Sequence, residues 1–226
     1  MKKLESTFSN MVIVLVAVAV IVGGILAWCN DVTKEPIKEQ DAASLAAGIK
    51  NVMGVDDIKV LSSDTVKQTI GGKEYVFVVH KTADATGKSL GAAVESTIGG
   101  FGGDLKVLVG FSSDSKVLGY TILQTAETPG LGAKADKWFQ KDGKGCIVGK
   151  EMDSDKPLTV TKDGGDIDAI TASTITSRAF LKAVNQAYAA YTEKNVDTQS
   201  GATKVHDAQS GATKRHEASE EQDEDD

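Results

Sequence analysis

The amino-acid sequence predicts an α+β fold, with one N-terminal transmembrane helix followed by a domain built on a mostly antiparallel sheet. An uncharged apolar run from Met11 to Trp28 predicts the helix. Short segments rich in β-branched residues, divided by glycine-rich turns, predict the sheet. We therefore expect a transmembrane anchor at 1–30, a helical stalk and connector at 31–73, a folded domain at 74–192 and a disordered acidic tail at 193–226.

The apolar run is eighteen residues long and spans ~27 Å as a helix, which is close to the thickness of the hydrocarbon core. A cleaved signal peptide is the alternative, but the run exceeds the usual apolar length of one and no small-x-small cleavage site follows it. Cys29 also permits a lipoprotein anchor, although Trp28 stands where such signals have a small residue. We expect a retained single-pass anchor, and Lys2 and Lys3 before it weakly favour a cytoplasmic N-terminus.

Composition narrows the class of function. The chain has 226 residues, 41% of them hydrophobic, with 25 Lys plus Arg against 32 Asp plus Glu and a net charge of −7. Seven acidic residues lie within the last ten positions, so the remainder is formally neutral and no nucleic-acid partner is expected. Cys29 and Cys146 provide no disulfide framework, and the sequence has neither a CxxC pair nor a histidine cluster. We expect no metal site and no catalytic cysteine.

Between the anchor and the sheet, Thr33–Val52 predicts a polar helix that continues the membrane helix with a break near Pro36. Beyond it the pattern changes to short strands and two further helices. The predicted strands are Tyr75–Val79, Gly91–Ile98, Leu105–Val109, Val117–Leu123 and Pro157–Thr161, and the predicted helices are 133–140 and 175–191. The glycine-rich turn 99–103 lacks a following helix and a Lys-Ser/Thr pair, so we interpret it as a strand connector.

The last predicted helix has an apolar stripe at helical spacing, which we interpret as core rather than as a cofactor surface. Its members are Ile175, Phe180, Leu181, Val184 and Tyr188. The three histidines are scattered along the chain, and none is assigned a role.

A short motif stands at the start of this helix. It consists of an aspartate, two spacers, Ser or Thr, two small residues and a threonine, and it falls on Asp168, Thr171 and Thr174. The small residues Ala172 and Ser173 leave the backbone around the Thr174 hydroxyl uncrowded. If that hydroxyl carried a phosphoester, the free N–H groups and the dipole of the helix would stabilise its negative charge. A plain N-cap at Thr174 is the alternative interpretation.

A second motif, E-T-P-G-L-G at 127–132, ends a strand-like run and precedes a short amphipathic helix. Its proline and glycines predict a tight turn whose main chain can approach a flat ring closely. Glu127 and Thr128 offer hydrogen-bond partners to the polar edge of such a ring. An ordinary strand-to-helix turn explains this segment alone, but it poorly explains the presence of both motifs in one chain.

Both motifs resemble the hallmarks of the FMN-binding domain family. With the N-terminal segment, residues 1–192 resemble the G subunits of Rnf electron-transport complexes and the related C subunits of sodium-translocating NADH:quinone oxidoreductases. The resemblance implies an FMN-binding domain at 74–192, FMN joined to Thr174 by a phosphoester bond, an FMN transferase that attaches it, and no catalytic residue. The cofactor-binding residues that it implies are Thr174, Asp168, Thr171, Ser173, Glu127, Thr128, Gly130, Leu131, Gly132 and Lys134.

The resemblance also implies a function, that of an electron-transfer subunit in an ion-translocating ferredoxin:NAD oxidoreductase complex. The chain would lie in the bacterial inner membrane, with its domain on the periplasmic or extracytoplasmic side and the other subunits of the complex as partners. Two alternatives stay open. One is a subunit of a sodium-translocating NADH:quinone reductase or another extracytoplasmic flavoprotein, and the other is a non-redox structural membrane subunit whose flavin site has decayed.

Two positions depart from the usual pattern of this family, in which Gly and Ala precede the acceptor threonine. This chain has Ala172 and Ser173 there. If that glycine normally takes a positive φ, Ala172 is strained. The family also has a similar glycine-rich turn at 99–103, which makes Phe101 a candidate to face the flavin.

The tail contains a ten-residue repeat in which the letters SGATK occur twice, at 200–204 and 210–214. Each copy fits the attachment motif more strictly than residues 168–174 do. We favour a duplicated spacer without chemistry, because the polar tail has no apolar core to bury a flavin ring. The alternative hypothesis is that Thr203, Thr213 or both are also flavinylated.

Overall fold

The first helix, α1, covers Phe8–Met53 and contains the whole apolar run. Its most apolar 18-residue window has a mean hydropathy of 2.9, and none of that window is buried by the residues that the structure describes. This helix is therefore long and apolar enough to cross a membrane, as the sequence predicts. The predicted break near Pro36 is wrong, since α1 continues through it. A proline inside a helix removes one hydrogen bond, and the regular residues on both sides keep the helix formed.

The computed structural model describes residues 7–55, 57–70 and 72–192. These residues form two compact units that divide between Ala46 and Ala47. The tail repeats with Thr203 and Thr213 lie outside the described residues.

Five antiparallel strands form one sheet, in the spatial order β1-β2-β3-β4-β5. Their bounds are Lys59–Ile70, Lys73–Ala83, Ser89–Gly99, Asp104–Ser112 and Val117–Thr125. Neighbours in sequence are neighbours in the sheet, so every connection is a hairpin. The predicted antiparallel sheet and four of the predicted strands, within β2 to β5, are confirmed.

Two features of the sheet differ from the sequence-based expectation. Strand β1 lies within residues 31–73, which were assigned to the stalk and connector, because its mostly exposed polar residues carry little of the apolar alternation that marks a strand. The strand predicted over Pro157–Thr161 is wrong, since only Val160 forms a single bridge, with Ile167. The backbone of Leu158 instead bonds to the side-chain amide of Asn185 at 2.9 and 2.8 Å.

One face of the sheet packs against the last helix, α3, which covers Thr174–Thr192. Phe180 lies at the centre of this core, with its ring centroid 4.3 Å from that of Phe139 and 4.7 Å from that of Tyr120. Four members of the predicted apolar stripe are buried, as expected. Ile175 is 46% exposed, so its assignment to the core is wrong. It lies in the first turn of α3, where the helix borders an open cavity.

The last turns of α1, from residue 47 onward, pack against β4 and β5. Ile49, Val52 and Met53 are buried there. A Cβ on Gly110 would come 2.6 Å from the carbonyl oxygen of Val52, and one on Gly119 would come 3.1 Å from it. Glycine at these two positions therefore permits the close approach of helix and sheet.

Candidate functional site

A well-defined turn leads into α3. The N–H of Ser173 donates to Ile170 O at 3.0 Å, and the N–H of Ile170 donates to Ser177 Oγ at 2.9 Å. The carbonyl of Ser173 accepts the first helical bond, from Ser177 N at 3.0 Å. Ser173 is therefore the N-cap of α3 and Thr174 its first helical residue, one position later than a capping role requires. The Thr174 side chain is half-buried.

Ala172, just before this cap, has a φ of +62°. The left-handed conformation brings its Cβ close to the backbone, which costs about 1–2 kcal/mol in a residue other than glycine. This agrees with the expectation of backbone strain at Ala172.

Glu127 connects three segments around the N-terminus of α3. Its side chain is buried, and Oε1 accepts a hydrogen bond from the N–H of Phe101 at 2.6 Å. The other oxygen, Oε2, accepts from the hydroxyl of Thr176 at 3.0 Å. Each carboxylate oxygen of Glu127 thus accepts one hydrogen bond from the protein and keeps a second lone pair.

Two glycines allow this carboxylate to fit. A Cβ on Gly100 would come 2.1 Å from Glu127 Oε1, and one on Gly132 would come 2.5 Å from Oε2. A larger residue at either place would displace the Glu127 carboxylate from its two hydrogen bonds. This close packing positions both loops beside α3.

The two loops and the first turn of α3 enclose a cavity of about 320 Å³. Three apolar side chains around it are unusually exposed: Phe101 by 70%, Leu131 by 42% and Ile175 by 46%. The lining residues are Phe101, Glu127, Thr128, Leu131, Gly132, Ala172, Ser173, Thr174, Ile175 and Thr176. A concave site of this size with apolar walls and a few polar groups can hold a flat aromatic ring system.

The predicted site residues separate into three groups. Six of them line this cavity: Thr174, Ser173, Glu127, Thr128, Leu131 and Gly132. Gly130 and Lys134 line a second cavity of about 560 Å³, together with Trp138. Asp168 and Thr171 are exposed and line neither cavity. The carbonyl of Asp168 accepts a hydrogen bond from Trp138 Nε1 at 2.8 Å, which links the segment before α3 to the helix α2 at Ala135–Trp138.

Lys162 and Arg178 belong to the site but were not predicted. Lys162 Nζ donates to Thr174 Oγ1 at 3.1 Å. Arg178 forms two hydrogen bonds to Asp163, at 2.7 and 2.6 Å, and these lower the pKa of the Asp163 carboxyl. Arg178 was detectable, because it lies four residues after Thr174 and so on the same face of the helix. No feature of the sequence indicates that Lys162, twelve residues before Thr174, contacts it.

Residues 100–189, which contain both loops and the N-terminus of α3, match the FMN-binding domain family. This part of the chain is therefore of the FMN-binding domain class. The G subunit of the ion-translocating oxidoreductase complex of Vibrio atlanticus is 34% identical over 180 residues, covering 76% of this chain and 84% of that protein. The corresponding G subunit of Shewanella oneidensis is 32% identical over 197 residues, covering 82% and 90%. The chain belongs to the family of ion-translocating oxidoreductase complex G subunits.

The crystal structure of the C subunit of the Na(+)-translocating NADH-quinone reductase from Parabacteroides distasonis also matches, at 21% identity and a TM-score of 0.39. The match covers 59% of this chain and 77% of that one. A TM-score this low supports no detailed comparison of the two folds.

Proposed function

We propose that the chain is a membrane-anchored electron-transfer subunit that carries FMN on Thr174, within an ion-translocating ferredoxin:NAD oxidoreductase complex of the Rnf type. The names of its relatives support the complex, and the apolar helix α1 supports the membrane anchor. One observation carries the cofactor proposal. The Thr174 hydroxyl lies at a cavity whose most exposed walls are apolar side chains.

The residues present fit both the flat ring and the phosphate of FMN. Phe101, Leu131 and Ile175 offer apolar contact to a flat ring, and their exposure leaves that surface uncovered by the protein. Thr174 offers an alcohol for the phosphoester, and Lys162 places a positive charge beside it. When bound, FMN supplies the redox chemistry, and the protein supplies binding, orientation and electrostatics.

The remaining lining residues have supporting roles in this proposal. Glu127 holds the turn 99–103 and the first turn of α3 together, which fixes the positions of Phe101 and Thr176. Ser173 occupies the N-cap position of α3, directly before Thr174. The first N–H groups of α3 have no acceptor within the helix, so they favour a negative charge at this end.

We further propose that the domain lies on the periplasmic or extracytoplasmic side of the bacterial inner membrane. Lys2 and Lys3 before the apolar run support a cytoplasmic N-terminus. In that location a covalent bond, formed by a separate FMN transferase, would prevent loss of the cofactor to a dilute medium. The other subunits of the complex would supply and accept its electrons.

The strain at Ala172 favours a second candidate function, that of a non-redox structural subunit whose flavin site has decayed. A third candidate is a subunit of a sodium-translocating NADH:quinone reductase or another extracytoplasmic flavoprotein. It would have the same flavin site but different partner subunits. Proteins that co-purify with the native chain would distinguish it.

In-gel fluorescence tests the main proposal. The chain is expressed with a competent flavin transferase, denatured, separated and viewed under ultraviolet light. We expect a fluorescent band from the wild type, no band from T174A, and an unchanged band from the control T86A, whose threonine lies in the β2–β3 turn. A non-fluorescent wild-type band would favour the structural subunit with a decayed site.

The alternative hypothesis for the tail repeats is that Thr203, Thr213 or both are also flavinylated, in which case a fluorescent band would remain in T174A. If either is flavinylated, the flavin-to-chain ratio of purified protein exceeds one and falls when both become alanine. A ratio no higher than one, unchanged in the double variant T203A/T213A, would eliminate tail flavinylation and leave Thr174 as the proposed site.

A further inference from the structure

We propose that Lys162 is a positioning residue for the attachment of FMN to Thr174, and that it then neutralises the phosphodiester. This inference rests on the proposed covalent FMN. Nζ of Lys162 lies 3.1 Å from Thr174 Oγ1. An ammonium group only donates, so it occupies a lone pair of Oγ1 and leaves the hydroxyl proton free to point elsewhere. The contact thus fixes the oxygen atom that must form the ester.

A tight turn holds Lys162 in place. Val160 pairs with Ile167 in a parallel bridge, and the N–H of Thr161 donates to Ile167 O at 2.9 Å. Residues 161–163 form one turn of 3-10 helix, which ends at Gly164 with a φ of +86°. The backbone around Lys162 is therefore bonded on both sides, so its exposed side chain starts from a defined position.

A neighbouring ion pair attaches this turn to α3. Asp163 binds Arg178 through both carboxylate oxygens, and Arg178 lies one helical turn after Thr174. Bidentate pairing fixes the geometry as well as the charge.

Because of this ion pair, Lys162 rather than Arg178 has a positive charge that is free to bind a phosphate. Arg178 is neutralised by Asp163, which accepts both of its hydrogen bonds. Among residues 7–55, 57–70 and 72–192, no carboxylate forms an ion pair with Lys162. Lys162 therefore carries an uncompensated positive charge beside the acceptor hydroxyl, which suits an anionic phosphate.

The attachment step needs an activated flavin phosphate of the flavin-dinucleotide class, which the separate transferase would bring. Thr174 Oγ1 forms a bond to the phosphorus on the flavin side, and the bond from that phosphorus to the bridging oxygen of the pyrophosphate breaks. A nucleoside monophosphate leaves with the electron pair, and the hydroxyl proton passes to a base of the transferase or to water. No atom is oxidised or reduced. A positive charge beside Oγ1 stabilises this oxygen as it loses its proton.

The positive charge of Lys162 would also stabilise the product of attachment, the phosphodiester on Thr174. A phosphodiester keeps one negative charge, and its ester oxygen is the Oγ1 atom that Lys162 already contacts. A charge-assisted hydrogen bond from Lys162 would hold the tether in one orientation. Lys162 would then act on the attachment rate and on the environment of the phosphorus.

Two variants and a control test the inference by the rate of flavin attachment. K162M keeps the apolar stem and removes the charge, K162R keeps the charge, and K88M changes an exposed lysine in the β2–β3 turn. With purified transferase and a flavin dinucleotide, we expect K162M to load about tenfold more slowly, the effect of one lost charge-assisted hydrogen bond. K162R should recover most of the rate, and K88M should match the wild type.

A phosphorus NMR spectrum of fully loaded protein supplies a readout that a merely structural role would not move. The resonance of the phosphodiester should shift between the wild type and K162M and return in K162R. Thermal unfolding of the unloaded variants checks that all three fold. Equal loading rates and equal phosphorus shifts in K162M and the wild type would overturn the role of Lys162 and leave the proposed function intact. A wild-type chain without flavin on Thr174 would overturn both, and equally slow K162M and K162R would overturn the role of charge.

Discussion

Two buried glutamates, Glu127 and Glu95, lie in different parts of the domain and are satisfied by different kinds of partner. Glu127, 6% exposed at the proposed flavin site, accepts from neutral donors, the N–H of Phe101 and the hydroxyl of Thr176. Glu95, 7% exposed in the sheet, lies between basic side chains, with His80 Nε2 at 2.8 Å and Lys106 Nζ at 2.6 Å.

The difference separates the two regions by function. The network of Glu95 links neighbouring strands, because His80 is in β2, Glu95 in β3 and Lys106 in β4, and Ser63 of β1 bonds to His80 Nδ1 at 2.8 Å. The hydrogen bonds and ion pairs of this network stabilise the sheet. Glu127 instead joins loops that are distant in sequence and so forms the cavity. Changes at Glu95 should therefore affect stability alone, whereas changes at Glu127 should affect flavin attachment as well.

The largest expected effect is that of E95A. Removing this carboxylate leaves the buried His80 and the partly exposed Lys106 without their acceptor, which should lower the free energy of unfolding by about 3 kcal/mol. Urea denaturation of the full chain in detergent measures it. Flavin loading of the folded variant should equal that of the wild type, and a loss of loading at full folding would contradict the separation of the two regions.

E127A should have the second largest effect on stability. It leaves the N–H of Phe101 and the hydroxyl of Thr176 unpaired, at a cost of about 2 kcal/mol. Loading should also fall strongly, because the turn 99–103 loses its attachment to α3. E127Q is the matched control. The glutamine side chain can still accept from Phe101 N–H while its amide donates to the Thr176 oxygen, so it should keep most of the loading.

Relief of strain at Ala172 should give a smaller effect of opposite sign. A172G removes a left-handed alanine, and after the entropic cost of glycine we expect a gain of about 1 kcal/mol in the free energy of unfolding. Ser115, with a φ of +61° in the β4–β5 turn, offers a matched control in S115G. Both variants should be more stable, but only A172G should change the rate of flavin loading.

The smallest expected effect is on how the free energy of unfolding depends on pH, through Glu95. Although burial raises the pKa of Glu95, hydrogen bonds from His80 and Lys106 outweigh it and hold the pKa below its ordinary value of 4.5. Because the folded state lowers this pKa, Glu95 contributes stability above pH 4.5, and the contribution is lost as the pH falls through the lowered pKa. Unfolding free energies between about pH 3 and pH 7 should therefore fall less steeply toward acid in E95Q than in the wild type. Equal slopes would contradict the charged state of Glu95.

The parts of the fold that the sequence predicted are those with strong local patterns. The apolar run of α1 is continuous and uncharged, strands β2 to β5 contain short runs of apolar and β-branched residues, and α3 has an apolar stripe at helical spacing. Strand β1 escaped prediction because it is polar and mostly exposed, and its pairing with β2 stabilises it more than its own pattern does. The prediction of a strand over Pro157–Thr161 was wrong because the side chain of Asn185 in α3 forms the hydrogen bonds of the Leu158 backbone.

The residues of the candidate site that belong to short motifs could be predicted from the sequence. Those that are held by contacts between distant residues could not. Thr174 and the loop 127–132 belong to short motifs, and six of the predicted residues line one cavity. The bond between Glu127 and Thr176 joins residues 49 apart, and that between Lys162 and Thr174 depends on a turn whose end is bonded to α3. Such contacts follow from tertiary packing, which no local pattern contains.

Mass spectrometry of the chain from its native membrane tests the central claim most directly. Trypsin releases Asp163–Arg178, which contains Thr171, Ser173 and Thr174 in one peptide. The account predicts that this peptide carries the mass of FMN joined with loss of water, and that fragmentation places it on Thr174. A native peptide recovered wholly unmodified, or modified at another hydroxyl, would contradict it.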